Sequence, residues 1–328
     1  MRAAVLEDVE KLIYREDYPK PKAGPKDVIV KTHYCGICGT DVKNYKYKIY
    51  QLPLIMGHEF SGEVVEIGSD VQNVDIGEKV CGINVSLSVQ QGELDGLGIF
   101  RDGGFAEYVK VPEKYLFKIP ENISTKEAIM IESFANAVRG VKLSQLRENE
   151  NVMIIGGGNI GLCFLEYIVK TKSPNYIVVI EPHEFLRNKA IEFGASETLP
   201  PNKMKINKFI KKNGPPSFIF DCAGFEQTLR LAIDLIDKGG TVLLEGVNKG
   251  NITLPMFLIN SKELCLKGCL GHDREDILES IDLFTKKIVN GKKFISEIHP
   301  LKDISKIFNK FFETGERNFI KVAIKIIN

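Results

Sequence analysis

The chain has 328 residues, enough for about two domains and a sizeable core without metal or disulfide staples. An apolar content of 44% and a net charge of +1 are those of an ordinary globular protein, and nothing in that balance calls for nucleic acid or an anionic membrane as a partner. No apolar run is long enough to span a bilayer, and no signal peptide is visible before Glu7 and Asp8. The seven cysteines are odd in number and irregular in spacing, and several sit in apolar runs, which predicts reduced thiols in a cytoplasmic protein rather than a disulfide framework.

The first part of the chain reads as β-rich. Val28–His33, Gly62–Ile67, Lys79–Ile83 and Phe105–Val111 alternate or are β-branched, with Gly, Pro, Asn and Asp between them. Cys35 to Asp41 reads as a Gly-rich turn. Near Ser124 the pattern changes: Ser124 and Glu127 have the spacing of a capping box that opens a helix. From residue 151 strands and helices alternate. Asn151–Ile155, Tyr176–Ile180, Ser217–Asp221 and Thr241–Glu245 are expected strands, with helices at Ile160–Thr171, Glu184–Phe193 and Gln227–Asp237. Runs such as Val152 to Ile155 are apolar on both faces, as strands covered by helices on both sides of a parallel sheet are. The lysine cluster Lys203–Lys212 reads as the solvated face of a helix. Two amphipathic helices, about Asp273–Val289 and Leu301–Glu313, precede a last strand, Phe319–Ile327.

Gly156-Gly157-Gly158-Asn159-Ile160-Gly161 carries the G-x-G-x-x-G spacing between an expected strand and an expected helix. Gly156 permits the tight turn, Gly158 lets the backbone approach a pyrophosphate, and Gly161 allows close packing of helix on strand. The free N–H groups of the helix start, at Ile160, face the phosphates. Glu181 ends the second strand, twenty residues past Gly161. Its carboxylate would accept the adenosine ribose hydroxyls and repel a 2′-phosphate, which favours NAD over NADP. The bland reading, a glycine turn with an incidental glutamate, must explain strand, motif, helix, strand and acid in order.

Three further segments carry metal-binding residue types: Cys35-x-x-Cys38, Gly57-His58-Glu59, and Glu132 in an apolar helix entry. Each has an alternative. Cys38 could be a small buried hydrophobe, His58 a satisfied core histidine, Glu132 a charge favoured at a helix start, and the two cysteines a redox pair, although no thioredoxin-like context surrounds them.

Together with their flanks these segments resemble the zinc-dependent medium-chain dehydrogenases, in the branch of polyol (sorbitol-type), threonine and galactitol-phosphate dehydrogenases. The resemblance is carried by Gly-Ile-Cys-Gly-Thr-Asp at 36–41 and Gly57-His58-Glu59-Phe60-Ser61-Gly62. Gly68, Val71, Gly77-Glu78-Lys79-Val80, Arg101 to Val109 and Glu132-Ser133-Phe134-Ala135-Asn136-Ala137-Val138 extend it over nearly the whole length. It implies that Cys38, His58 and Glu59 are zinc ligands and that Glu132 is a fourth ligand or holds a zinc-bound water. It also implies that Thr40 takes the substrate's hydroxyl proton, and that Gly246, Val247, Cys269 and Leu270 line the cofactor crevice. The donor set suits zinc, which takes thiolate, imidazole and carboxylate and keeps one position open in catalytic sites. Neighbouring residues on an ideal strand point to opposite faces. His58 and Glu59 therefore face one metal only if Gly57 distorts the backbone, or Glu59 ligates part of the time.

The chain departs from the family at three places. Relatives often hold a second, structural zinc with four cysteines, but residues 82–100 contain none, so one catalytic zinc per chain and a shortened loop at Gln90–Gly96 are expected. Lys43 stands where many relatives have a proton-relay histidine. It could relay with a lowered pKa, bind an anionic substrate group, or be a solvated surface lysine. Leu186 stands where relatives often have an arginine after the ribose acid, and Arg187 follows it.

The expected fold is α/β: a Rossmann doubly wound parallel sheet (residues 128–266) and a β-rich GroES-like catalytic domain (residues 1–127 and 267–328). The expected function is hydride transfer between a secondary alcohol and NAD, the alcohol being a polyol, a sugar alcohol or its phosphate, or an amino alcohol. Small-molecule alcohols and ketones, a homodimer or homotetramer, and neither nucleic acid nor membrane, complete the expectation. Two other classes are a zinc-free quinone or enone reductase on the same fold, which would lack the Cys38, His58 and Glu132 set, and a non-catalytic NAD-binding protein.

Overall fold

The computed structural model describes residues 1–82, 96–246, 250–313 and 317–327. The chain divides into two compact units, Met1–Ser133 with Asp273–Asn328, and Phe134–His272.

In the first unit a seven-stranded sheet runs Ile295–Pro300, Lys321–Lys325, Asp27–Gly36, Glu59–Ile67, Lys79–Gly82, Leu116–Lys118, with Tyr108–Pro112 also paired to Asp27–Gly36. A three-stranded sheet, Lys11–Arg15, Ala3–Asp8 and Leu54–Ile55, closes it. The register matters most at one corner. Gly36 pairs with Glu59 on one side and with Ala323 on the other. Three distant stretches, ending near residues 38, 58 and 321, therefore meet at one place. The helix Gly39–Tyr47 grows directly from the end of the first of these strands. It is anchored from below: the Tyr45 ring packs on Phe308 at 5.3 Å, and Phe308 in turn meets Phe105. Both phenylalanines are fully buried, each worth roughly 1.5–3 kcal/mol of burial.

The second unit is a six-stranded parallel sheet in the order Glu197–Leu199, Tyr176–Ile180, Asn151–Ile155, Phe218–Asp221, Thr241–Leu244, Cys265–Gly268. Counted along the chain the order is 3-2-1-4-5-6, the doubly wound arrangement, with its switch point between Asn151–Ile155 and Phe218–Asp221. Every residue of Tyr176–Ile180 is buried, as its two-sided apolar sequence predicts. The expected α/β fold class is the one observed.

Four local readings change. The hairpin Ala3–Asp8 with Lys11–Arg15 was not expected; its charged second strand weakens the apolar signal. The Gly-rich turn expected at 35–41 is confined to Ile37 and Cys38, because Asp27–Gly36 is strand and Gly39–Tyr47 is helix. Asp41 caps the following helix, whose apolar periodicity is too slight to announce it. The edge strand Cys265–Gly268 is mostly exposed and so lacks a buried-strand pattern. The helices expected at Asp273–Val289 and Leu301–Glu313 are shorter, Arg274–Thr285 and Ile304–Glu313. Ser124 does cap a helix, accepting the Glu127 N–H at 3.2 Å.

Candidate metal and cofactor sites

Cys38, His58 and Glu59 converge: one ligand atom from each lies within 4.8 Å of the others, the only such group of three or more among the described residues. Cys38 is the N-cap of the Gly39–Tyr47 helix, so its sulfur sits at the positive end of the helix dipole and accepts the Thr40 N–H at 3.5 Å. Gly57 has φ +93°, a conformation glycine adopts without strain, and a Cβ there would press on Cys35 Sγ and the Phe105 ring. The backbone is thus distorted just before His58, and the regular strand begins only at Glu59. This is how two adjacent residues come to face one point.

Asp41 ties the two segments together. One carboxylate oxygen accepts the Cys38 N–H at 2.9 Å; the other accepts the Gly57 N–H at 3.2 Å and lies 3.7 Å from His58 Nδ1. Burial pushes the Asp41 carboxyl up from its ordinary range, although His58 and the two N–H groups oppose this. The segment 103–104 completes the frame, with Gly103 N–H donating to Ile55 O and Gly104 N–H to Gly57 O, both at 2.7 Å.

Lys321 is the residue sequence reasoning missed. Its ammonium, buried with Glu59, donates to both Glu59 oxygens at 2.5 and 2.6 Å, and Ser133 Oγ donates to the same carboxylate at 3.1 Å. A side chain on Gly36 would occupy the space of this pair. Burial acts to lower the Lys321 pKa, but Glu59, Cys38 and Glu132 outweigh it and hold it raised. The signal was available: a lysine inside Phe319-Ile320-Lys321-Val322-Ala323-Ile324 is either at a sheet edge or paired with a buried acid.

Glu132 is buried at the start of the helix Ile131–Ser144 and within electrostatic reach of His58 and Lys321, but outside the tight group of three. His58 is 3% exposed, and its Nδ1 has no hydrogen-bond partner. Burial disfavours the imidazolium, yet the charges of Cys38, Asp41 and Glu132 raise the His58 pKa well above its ordinary value. Such a cluster of negative groups around an orphaned imidazole nitrogen calls for a cation. A zinc ion fits the donor set of thiolate, imidazole and carboxylate. Lys43 lies exposed on the same helix. Cys81, beside the stretch where relatives place a second metal, is buried with its thiol pushed up to about 12 by desolvation. Residues 83–95 of that stretch, and with them most of the loop expected at Gln90–Gly96, lie outside the described residues.

In the second unit Gly156 has φ +101° and Gly158 caps the helix Asn159–Thr171 without a side chain, leaving the first N–H groups open, Ile160 among them. A Cβ at Gly161 would strike the Gly156 carbonyl, so only glycine lets the helix sit this close to its strand. Glu181 is 5% exposed; one oxygen accepts the Gly157 N–H at 2.8 Å and the other the His183 N–H at 2.9 Å. Leu186 is buried in the core. Arg187 instead turns back to the backbone carbonyls of Glu181 and Pro182. Gly246 packs against Gly224 just past the ends of Thr241–Leu244 and Phe218–Asp221. Cys269 is buried and Leu270 is exposed, at the end of the edge strand Cys265–Gly268. Val247 lies outside the described residues.

The family profile described as "Alcohol dehydrogenase GroES-like domain" matches residues 24–121, and that described as "Zinc-binding dehydrogenase" matches residues 160–286, together more than half of the chain. A D-xylulose reductase of Saccharomyces cerevisiae is 27% identical over 87% of this chain and 87% of its own. An L-threonine 3-dehydrogenase of Shewanella putrefaciens is 27% identical over 94% of this chain and 96% of its own. An Escherichia coli alcohol dehydrogenase solved with NADH superposes with a TM-score of 0.91 at 25% identity, covering 99% of both chains. The chain belongs to the zinc-dependent medium-chain dehydrogenases and is an oxidoreductase of that family.

Proposed function

We propose that this protein interconverts a secondary alcohol and its ketone with NAD, using one zinc ion held by Cys38 and His58 together with Glu132 and, in exchange, Glu59. The observation that carries the reading is the buried convergence of Cys38, His58 and Glu59, with an imidazole whose Nδ1 makes no hydrogen bond. When bound, zinc supplies a Lewis acid with an open position and NAD supplies a hydride acceptor.

The chain's own residues do the rest. Asp41 fixes the Cys38 turn and the His58 turn against each other through its two backbone bonds. Lys321 and Ser133 hold Glu59 and balance its charge, and Glu132, buried nearby, is the second carboxylate of the set. The Thr40 hydroxyl, two residues past Cys38, accepts the alcohol's proton and passes its own on towards solvent. Lys43, exposed on the next turn, is read as a solvated residue rather than a relay. The open helix start at Gly158 and Ile160 binds the pyrophosphate, and Glu181 takes the ribose hydroxyls and repels a 2′-phosphate, so NAD is preferred to NADP. Gly246, Cys269 and Leu270 line the rest of the cofactor crevice. Residues 128–266 form the NAD-binding domain of this reading and residues 1–127 with 267–328 its catalytic domain.

The relatives named above suggest the substrate class. Xylulose and threonine both carry a polar group on the carbon beside the reacting one. A polyol, sugar alcohol, sugar phosphate or amino alcohol shares that feature. We also read the protein as a cytoplasmic homodimer or homotetramer. Support comes from the exposed edge strand Cys265–Gly268, and from Met256 and Phe257, exposed by 58% and 86% in the segment Asn251–Leu258. Light scattering reads the oligomer directly. Among the described residues no helix is long and apolar enough to cross a membrane.

The test is metal analysis of the purified protein together with a panel of these alcohols, each with NAD and with NADP, followed by absorbance of the reduced cofactor. About one zinc per chain and NADH formation that a chelator abolishes are expected. Protein without zinc that reduces a quinone or enone would overturn the reading in favour of a reductase, and NADH binding without any turnover would make it a non-catalytic binder.

A further inference from the structure

We propose that Arg187 is a positioning residue for the cofactor: its guanidinium folds the turn Glu181 to His183 so that the Glu181 carboxylate is held ready for the adenosine ribose. The inference rests on the reading of Glu181 as the ribose acceptor and deepens it.

Only Glu181, Pro182 and His183 join the strand Tyr176–Ile180 to the helix Glu184–Glu192. The Glu181 N–H still belongs to the sheet side, donating to Leu199 O at 3.0 Å. Along a regular strand successive carbonyls alternate in direction. Here the carbonyls of Glu181 and Pro182 converge instead on one nitrogen, Arg187 Nη1, the first at 2.9 Å. The chain leaves the sheet at that point.

The planarity of the peptide links this grip to the carboxylate. The Pro182 carbonyl and the His183 N–H belong to one trans peptide unit, so they point opposite ways. Holding the carbonyl towards Arg187 turns the N–H away from it, and that N–H donates to Glu181 Oε1 at 2.9 Å. The other oxygen, Oε2, accepts the Gly157 N–H at 2.8 Å. A Cβ at Gly157 would come within 3.1 Å of the Glu181 side chain, so the carboxylate lies directly on the glycine turn. Arg187 therefore acts on the ribose acceptor through the backbone, without bonding to its carboxylate.

The place of Arg187 in its helix runs against local electrostatics. Its N–H closes the first helical turn on His183 O at 3.0 Å, at the end where the dipole disfavours a cation. Among the described residues its guanidinium forms no ion pair with a carboxylate. Its two carbonyl bonds offset that cost. A guanidinium suits the task, because it stays charged at any working pH and donates from a fixed plane. Leu186 faces the core, and the arginine one residue on lies about 100° further round the helix. That rotation takes it to the strand end.

The test reads binding and needs no turnover. Fluorescence titration compares NADH with its 2′-deoxyadenosine analogue, which lacks one ribose hydroxyl. The wild type should bind NADH about tenfold more tightly, the scale of a hydrogen bond to a charged group. Arg187→Met keeps the length of the side chain and removes its donors, and the ratio should fall to about twofold. Arg187→Lys, which can donate to the same carbonyls, should restore much of it. Loss of a positive charge weakens both cofactors alike, since both carry the same phosphates, so the ratio isolates the turn. In a Glu181→Ala background, Arg187→Met should change the ratio no further. A ratio kept in Arg187→Met would overturn the proposal. So would a residual preference in Glu181→Ala that Arg187→Met then removes, because the guanidinium would be touching the ribose itself. A wild type that binds both cofactors equally, or a preference undiminished in Glu181→Ala, would sink the reading of Glu181 as the acceptor, and the role of Arg187 with it.

Discussion

The cofactor turn and the metal cluster are built in opposite ways. Residues 156–161 and Glu181 form a nearly contiguous stretch, and its working parts are backbone: open N–H groups, a left-handed glycine and one carboxylate bonded to the turn it follows. The metal cluster joins chain near residues 38, 58, 132 and 321 through sheet register and a buried ion pair. The first needs little from the rest of the protein. The second exists only when the first unit is folded around it, and its charges are costly to bury unless each has its partner.

That difference predicts where the molecule breaks. Removing the Lys321 ammonium leaves the buried Glu59 carboxylate without its counter-charge. Lys321→Met should cost about 3–5 kcal/mol of stability, read by denaturant unfolding of the metal-free protein. The double variant Glu59→Gln, Lys321→Met should recover most of it, because the unpaired charge is gone. If the single and double variants were equally unstable, the pair would matter for shape and not for charge.

Asp41 sharpens the comparison next. It holds no place in the group of three, yet both ligand turns hang from it. Asp41→Asn should weaken zinc binding by roughly 10–100-fold, measured by competition with a chromophoric chelator, while leaving the fold in place by circular dichroism. Asp41→Ala should be worse, because it loses both backbone bonds as well as the charge. An unchanged zinc affinity in the asparagine variant would assign Asp41 to helix capping alone.

The same contrast explains how far the sequence could be read. The fold class was legible, because alternating apolar strands and helices announce a parallel sheet without any long-range information. The residues Cys38, His58 and Glu132 stood out because their types are rare in such surroundings. What joined them did not stand out. Asp41 looks like an ordinary helix-start acid, and its second bond, to Gly57, appears only when the strands Asp27–Gly36 and Glu59–Ile67 pair. Lys321 sits more than two hundred residues from its partner. The question of how His58 and Glu59 could face one metal also needed a dihedral angle, the +93° of Gly57, that no side-chain pattern encodes.

The smallest effect is expected at the self-contained site. Glu181 already gives its two oxygens to Gly157 and His183 N–H groups, so a ribose would add to a carboxylate that the turn itself has positioned. Glu181→Ala should therefore leave the fold and the zinc content alone. It removes the acceptor for NAD and, at the same time, the negative charge that repels a 2′-phosphate. The ratio of kcat/KM for NAD over NADP should fall by about tenfold, the scale of one charge-assisted hydrogen bond. Most of the change should appear as a rise in KM for NAD, because a ribose contact is made equally before and during hydride transfer. A change in kcat alone would mean that Glu181 supports the nicotinamide end through the turn. An unchanged ratio would place the ribose elsewhere, and the cofactor turn would then depend on its distant surroundings as heavily as the metal cluster does.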